Sequence, residues 1–255
     1  MHPFTAASLA KAKAAGQKSV WLTAYDANAA ELAELAGVDV LLVGDSLGMV
    51  ALGYPTTIPV TLDQMIHHAA AVVRGRKHAW VVCDLPFGSY QLSPEQALAS
   101  SVAVLQQSGC EAVKLEGGEI MAPTIRFLTE RGIAVVAHIG LTPQSVHQFG
   151  SYRQRGKSES EREQLWRDAH AVEQAGAVAV VLECIPEKLA AEITAKLSIP
   201  TIGIGAGSDC DGQVLVWHDL LGLSAKNPSF APARLDLRGA IVSAVGKWAS
   251  EVRGE

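Results

Sequence analysis

The chain has 255 residues, 49% of them hydrophobic and 18% charged, with a formal net charge of −5. That length carries one substantial core and suits a single α/β barrel better than two small domains. The acidic balance and the absence of a basic stripe exclude nucleic acid as an expected partner, and no apolar run approaches bilayer thickness.

The N-terminal stretch MHPFTAASLAKAKAAGQK lacks the apolar segment of a secretory leader. It reads as a helix near residues 5–15, expected to cap one barrel mouth. Eight short apolar runs follow, at 19–25, 38–45, 79–86, 111–117, 133–140, 177–184, 199–207 and 213–219. Several are rich in Val and Ile, as parallel strands buried on both faces should be.

Helix starts lie between the runs. Thr61 with Gln64, and Ser93 with Pro94 and Gln96, place a hydroxyl N-cap ahead of a Gln three residues on. Ser158 opens a long helix that ends at Gly176, and a last helix near 235–253 is expected to close the ring. The alternation predicts a single (β/α)8 TIM barrel over 1–255, with a doubly wound open sheet as the rival.

The strand ends carry the unusual residues: Asp45, Asp84, Glu116, His138 and Glu183. By strand alternation each shares a face with the residue two before it, namely Val43, Val82, Lys114, Val136 and Val181. Each polar group is therefore expected to cap an inward column and look into the mouth where barrel enzymes do their chemistry. Lys114 lies one pleat deeper than Glu116, so its ammonium demands an anion nearby. Asp45, Asp84 and Glu116 would repel one another without a cation, and three hard oxygen donors select Mg²⁺ (or Mn²⁺) over zinc.

Other features leave two readings open. His138 is either a contact at the site or a satisfied interior histidine, while His67 and His68 point to different helix faces and form no zinc pair. Gly44 to Gly48, and Gly203, Gly205 and Gly207, either offer amides to an anion or make tight turns. Glu183 is either a base or the N-terminal carboxylate of a helix ahead of Pro186, and Cys184 beside it is expected to face away by parity. Cys83, Cys110, Cys184 and Cys210 form no CxxC pair and read as reduced interior thiols in the cytoplasm.

The segments TAYDANAA (23–30), LLVGDSLGMVALGYPTTIPVTLDQM (41–65), CDLPFGSYQLS (83–93), AVKLEGG (112–118), AHIGLTPQSV (137–146) and IGIGAGSDCDGQVLV (202–216) resemble the ketopantoate hydroxymethyltransferase family, in order. The resemblance covers about residues 8 to 225. The stretch QFGSYRQRGK (148–157) departs from the family pattern at Phe149 and Ser151, and the C-terminal region is only loosely similar. It implies a barrel of the phosphoenolpyruvate/pyruvate type, a homodecamer, Mg²⁺, and 5,10-methylenetetrahydrofolate as one-carbon donor to 3-methyl-2-oxobutanoate on the way to pantothenate and coenzyme A. It further implies Asp45 and Asp84 as metal ligands and Glu116 as another metal-site carboxylate. Asp45, Ser46, Asp84 and Lys114 would contact the oxo acid, and Glu183 would be the proton acceptor, with Val180, Val181 and Leu182 expected to raise its pKa. Arg153, Arg155 and Lys157 are either a solvated loop or a contact for the folate's anionic tail.

Overall fold

Short runs of β-branched and other apolar residues form eight parallel strands that pair in sequence order, and β8 returns to pair with β1. This closed barrel is seen in a computed structural model that describes residues 3–255. The order begins α1 (Ala6–Ala14), β1 (Ser19–Thr23), α2 (Ala27–Leu35), β2 (Val40–Val43), α3 (Leu47–Val50) and α4 (Leu62–Gly75). It continues with β3 (Trp80–Asp84), α5 (Pro94–Ser108), β4 (Ala112–Glu116), α6 (Ala122–Thr129), β5 (Val135–Gly140), α7 (Val146–Phe149) and α8 (Glu159–Gln174). The last elements are β6 (Ala179–Glu183), α9 (Glu187–Lys196), β7 (Thr201–Ile204), β8 (Gly212–Leu215), α10 (Trp217–Leu220) and α11 (Leu237–Arg253).

Each strand is shorter than the apolar run that announced it, because the flanking residues leave the ladder to build the turns. The expected helix starts are in place. The Thr61 hydroxyl accepts from Gln64 N while the Gln64 side chain accepts from Thr61 N, so two otherwise unpaired amides are satisfied at once. Ser93 caps α5 with Pro94 in the first turn, and Ser158 caps α8. Gly176 has φ +87 just beyond that helix, a conformation costly for any residue with a Cβ.

Side-chain alternation sorts the strands' residues into two cores. Trp21, Val40, Leu42, Trp80, Val82, Ala112, Val136, Ala179, Val181, Ile202 and Val214 fill the barrel interior. Leu41, Val43, Val81, Cys83, Val113, Leu115, Ile139, Val180 and Leu182 face the surrounding helices. Leu9 of α1 packs with the interior set, so the first helix does plug a mouth. The indole rings of Trp21 and Trp80 meet edge to face, 6.3 Å apart, beneath the functional end.

Three expectations need correction. No helix separates β7 from β8: the chain turns directly through Gly205 (φ +61) and Gly207 (φ +80). A Cβ on Gly207 would stand 2.2 Å from the Glu187 side chain, so turn geometry and close approach account for these glycines. The eighth strand stops at Leu215, and Trp217, His218 and Asp219 belong to α10. Finally, α11 does not close the ring. None of its residues is buried, and Ile241, Val242, Val245, Trp248 and Val252 form an exposed apolar stripe at helical spacing. Among the described residues, no helix is long and apolar enough to cross a membrane.

The interior packing sets a stability expectation. Trp21→Ala, at a position 2% exposed, should cost about 3–5 kcal/mol in chemical denaturation. Leu35→Ala, 76% exposed on α2, should change stability by less than about 0.5 kcal/mol.

Candidate active site

Four of the five polar strand-end residues arrive where alternation puts them. Asp84 caps the column of Trp80 and Val82, Glu116 that of Ala112 and Lys114, His138 that of Val136, and Glu183 that of Ala179 and Val181. Asp45 is the exception and corrects the parity reading. Val43 packs in the outer core, so a continued β2 would have pointed Asp45 at the helices. The strand instead ends at Val43, and the turn through Gly44 brings Asp45 inward, where its backbone N donates to Asp84 Oδ2 at 3.1 Å.

These residues line one cavity of about 1100 Å³ at the C-terminal ends of the strands. Asp45, Ser46, Asp84, Lys114, Glu116, His138 and Glu183 all border it. The six expected site residues and the undecided His138 thus include no outlier in position. Ser46 Oγ lies 2.9 Å from the Tyr25 hydroxyl, and burial raises the Tyr25 pKa so that it remains a neutral phenol.

Lys114 organises the floor of the cavity. Its Nζ stands 3.1 Å from Asp84 Oδ1 and 3.1 Å from His138 Nδ1, with both carboxylate and ammonium almost wholly buried. Burial alone would lower the Lys114 pKa, but the charges of Asp84, Glu116 and Asp45 outweigh it and raise the pKa above its ordinary value. The ammonium can only donate, so His138 Nδ1 must accept and the ring proton resides on Nε2. That Nε2–H faces Leu141 O at 2.9 Å and Glu183 Oε2 at 3.2 Å. Burial, followed by the neighbouring Lys114 charge, lowers the His138 pKa and keeps the ring neutral. His138 is therefore both interior and part of the site.

The acids bear an unbalanced charge. Burial, then the Asp84 carboxylate, pushes Asp45 up to about 7. Glu116 is also raised, chiefly by burial, against the opposing pull of Lys114. Asp84 Oδ1 is buried and takes no hydrogen bond, having only the Lys114 ion pair. Glu116 is engaged differently: Oε2 accepts from Gln144 N at 2.9 Å and Oε1 lies 3.8 Å from His138 Nδ1.

Among the described residues, no three His, Cys, Asp or Glu side chains converge as a ready-made cage for a metal. An adjoining pair of hard carboxylates, one whose Oδ1 meets only the Lys114 ammonium and the other destabilised as an anion, nevertheless suits Mg²⁺. That ion commonly takes one or two protein carboxylates and fills its remaining positions with water or substrate oxygens.

Two further side chains complete the acidic cluster without having been singled out in the sequence. Gln144 Nε2 donates to Asp45 Oδ2 at 2.9 Å, and Gln144 Oε1 accepts from the Tyr90 hydroxyl at 2.7 Å. Tyr90 lies on the loop after β3 and Gln144 in a single 3-10 turn (Pro143–Ser145) after β5, where neither strand alternation nor α-helical period applies. Their only sequence signal was membership of the segments CDLPFGSYQLS and AHIGLTPQSV.

Cys184 corrects another parity expectation. Strand β6 ends at Glu183, Cys184 adopts φ +47, and its side chain borders the cavity instead of facing away. Burial pushes this thiol up to about 12, so it is not a thiolate near neutrality. Arg153 and Arg155 are both tied to Glu161, at 2.9 and 3.4 Å, and Arg155 also stacks on Phe149. These contacts bind the basic stretch to the start of α8.

The sequence model described as ketopantoate hydroxymethyltransferase matches residues 3–255. A protein named 3-methyl-2-oxobutanoate hydroxymethyltransferase from Acaryochloris marina (strain MBIC 11017) is 60% identical over 233 residues, covering 91% of this chain and 90% of its own. One of the same name from Moorella thermoacetica (strain ATCC 39073 / JCM 9320) is 52% identical, covering 94% and 90%. Among solved structures, a phosphonopyruvate hydrolase aligns with TM-score 0.63 at 14% identity, covering 97% of this chain and 86% of its own. A 2,3-dimethylmalate lyase of the PEP mutase/isocitrate lyase superfamily aligns with TM-score 0.59 at 17% identity, covering 98% and 88%. At that identity the structural likeness shows the fold alone, a closed (β/α)8 barrel.

The raised Asp45 gives a pH dependence in metal-free protein. Between its ordinary value of 3.8 and about 7, the folded chain holds a proton that the unfolded chain has released. That contribution is full below the lower value and is lost as pH rises through the upper one. In chelator, wild type should therefore lose stability relative to Asp45→Asn between about pH 4.5 and 7, at up to about 1 kcal/mol per pH unit. Denaturant midpoints of the two proteins across that range check it.

Proposed function

The chain belongs to the ketopantoate hydroxymethyltransferase family and is a transferase, and on that footing we propose that it moves a hydroxymethyl group from 5,10-methylenetetrahydrofolate to 3-methyl-2-oxobutanoate. The product is ketopantoate, on the route to pantothenate and coenzyme A. Lys114 carries this reading: a buried ammonium among carboxylates on the floor of a cavity that Glu183 also faces. A 2-oxo acid brings a carboxylate and a keto oxygen to such a floor, and its C3–H is acidified by the adjoining carbonyl.

Asp45 and Asp84 would hold Mg²⁺, and Glu116, already accepting from Gln144 N, would add negative charge beside it. When bound, the cation supplies Lewis-acid polarisation of the 2-oxo group and compensates the acidic cluster. Ser46 would donate to the oxo acid, and Lys114 would stand beside its oxygens as negative charge builds on them. Glu183 would take the C3 proton. His138, donating from Nε2, orients one oxygen of Glu183 and leaves the other for the substrate.

The C3–H electron pair enters the 2-oxo group as an enolate and returns through C3 to form the carbon–carbon bond to the folate's methylene carbon. The proton on Glu183 and one water balance the release of tetrahydrofolate and leave CH2OH on C3. A homodecamer is proposed for the assembly, and the unpartnered apolar stripe of α11 supports association of copies of the chain. The cytoplasm is the proposed compartment, supported by four free, buried cysteines.

Solvent exchange tests the base directly. With Mg²⁺ and 3-methyl-2-oxobutanoate in D2O, wild type should exchange the C3 proton without folate, and Glu183→Gln should slow exchange by about 100-fold or more. Undiminished exchange in that variant, followed by NMR, removes Glu183 from the role. Asp84→Ala should instead weaken Mg²⁺ binding in calorimetry by at least about 10-fold.

A further inference from the structure

We infer that Gln144 is a positioning residue for the divalent-cation site: its amide sets the orientation of Asp45 while its backbone holds Glu116. This rests on the proposed metal-dependent reading and adds to it a residue that touches neither cation nor substrate.

Gln144 is 4% exposed on the loop after β5. Its Nε2 donates to Asp45 Oδ2 and to Leu85 O, each at 2.9 Å. Its Oε1 accepts from Tyr90 OH at 2.7 Å and from Gln91 Nε2 at 3.1 Å. Both donors and both acceptor positions of the amide are thus used. A flipped amide would set its oxygen against the Asp45 carboxylate and the Leu85 carbonyl, two groups that can only accept, so one orientation is allowed.

Tyr90 reinforces that choice. Its hydroxyl oxygen accepts from Glu116 N at 3.1 Å, and its own proton has its short contact with Gln144 Oε1 at 2.7 Å. The hydrogen bonds close on themselves, because Gln144 N donates back to Glu116 Oε2 at 2.9 Å. Two of the acids are therefore fixed by one residue from a loop distant in sequence.

The residue type matters. An arginine or lysine here would neutralise Asp45 and compete with a cation. A carboxylate would add repulsion to a cluster already short of positive charge. A neutral amide donates to Asp45 without changing the charge, and commits Oδ2 to the protein so that Asp45 presents its other oxygen in a fixed direction. Preorganisation of this kind, by partners behind the ligands, commonly governs metal affinity by about 10- to 100-fold.

The test is a Mg²⁺ titration by calorimetry in the presence of 3-methyl-2-oxobutanoate, on wild type, Gln144→Met, Tyr90→Phe and the double variant. Methionine keeps the volume and removes both donors. Gln144→Met should raise the Mg²⁺ Kd by about 10-fold or more, while kcat at saturating Mg²⁺ stays within about 3-fold of wild type, since Lys114 and Glu183 are untouched. Tyr90→Phe should raise Kd less, and the double variant should fall short of the sum of the two single effects, because part of what Tyr90 does runs through the amide. Equal Mg²⁺ affinity in wild type and Gln144→Met overturns the inference, as does a kcat that fails to recover at saturating metal. If Gln144→Met does not fold, unchanged affinity in Tyr90→Phe overturns it instead. Wild type that takes up no Mg²⁺ would sink the metal reading itself, and this inference with it.

Discussion

Lys114 lies one pleat below Glu116 inside the barrel, and an ammonium removed from water costs several kcal/mol unless anions replace the lost hydration. Asp84 supplies the nearest one at 3.1 Å. The same ammonium claims His138 Nδ1 as an acceptor, which fixes the ring proton on Nε2 and turns it towards Glu183. One buried positive charge thus determines the tautomer of a histidine and the orientation of a carboxylate that it does not touch. It cannot balance Asp45, Asp84, Glu116 and Glu183 together, and burial, with the neighbouring acids adding to it, raises the pKa values of Asp45 and Glu116.

The barrel makes this arrangement possible by keeping water away from one end of each inward column. Trp21 and Trp80 meet edge to face in the interior, and Leu9 of the first helix packs with them. Above that packed layer the inward positions turn polar, so polar and charged groups from β3, β4, β5 and β6 point into one cavity without separate devices to aim them. The β4–β5 register pairs Glu116 with His138 across the ladder, and β3–β4 pairs Asp84 with Lys114. The contacts at the cavity floor are consequences of strand register.

Loops supply what the strands cannot. Asp45 enters through the turn after β2, and Gln144 through the turn after β5, and the two meet at 2.9 Å although they are 99 residues apart in the chain. A neutral amide between carboxylates holds them in place while leaving their charge available to a cation. The C-terminal helix obeys a different constraint. Its apolar stripe has the period of a packed helix, yet none of its residues is buried within one chain. Burying that stripe calls for a surface outside this chain's own barrel.

Local chemistry in the sequence was enough for the eight strands, the hydroxyl helix caps at Thr61, Ser93 and Ser158, and the gathering of Asp84, Lys114, Glu116, His138 and Glu183 at one mouth. Alternation and helical period are properties of a few consecutive residues, so they can be read without knowing what lies opposite. The same rule failed at Asp45 and Cys184, because it holds only while the strand continues, and β2 and β6 end at Val43 and Glu183. The absent helix after β7, the unburied α11 and the Gln144–Tyr90–Glu116 ring also escaped it. Each depends on which distant surfaces meet when the barrel closes, and that is decided by the folded chain as a whole: a loop side chain has no period, and its partner is fixed only in space.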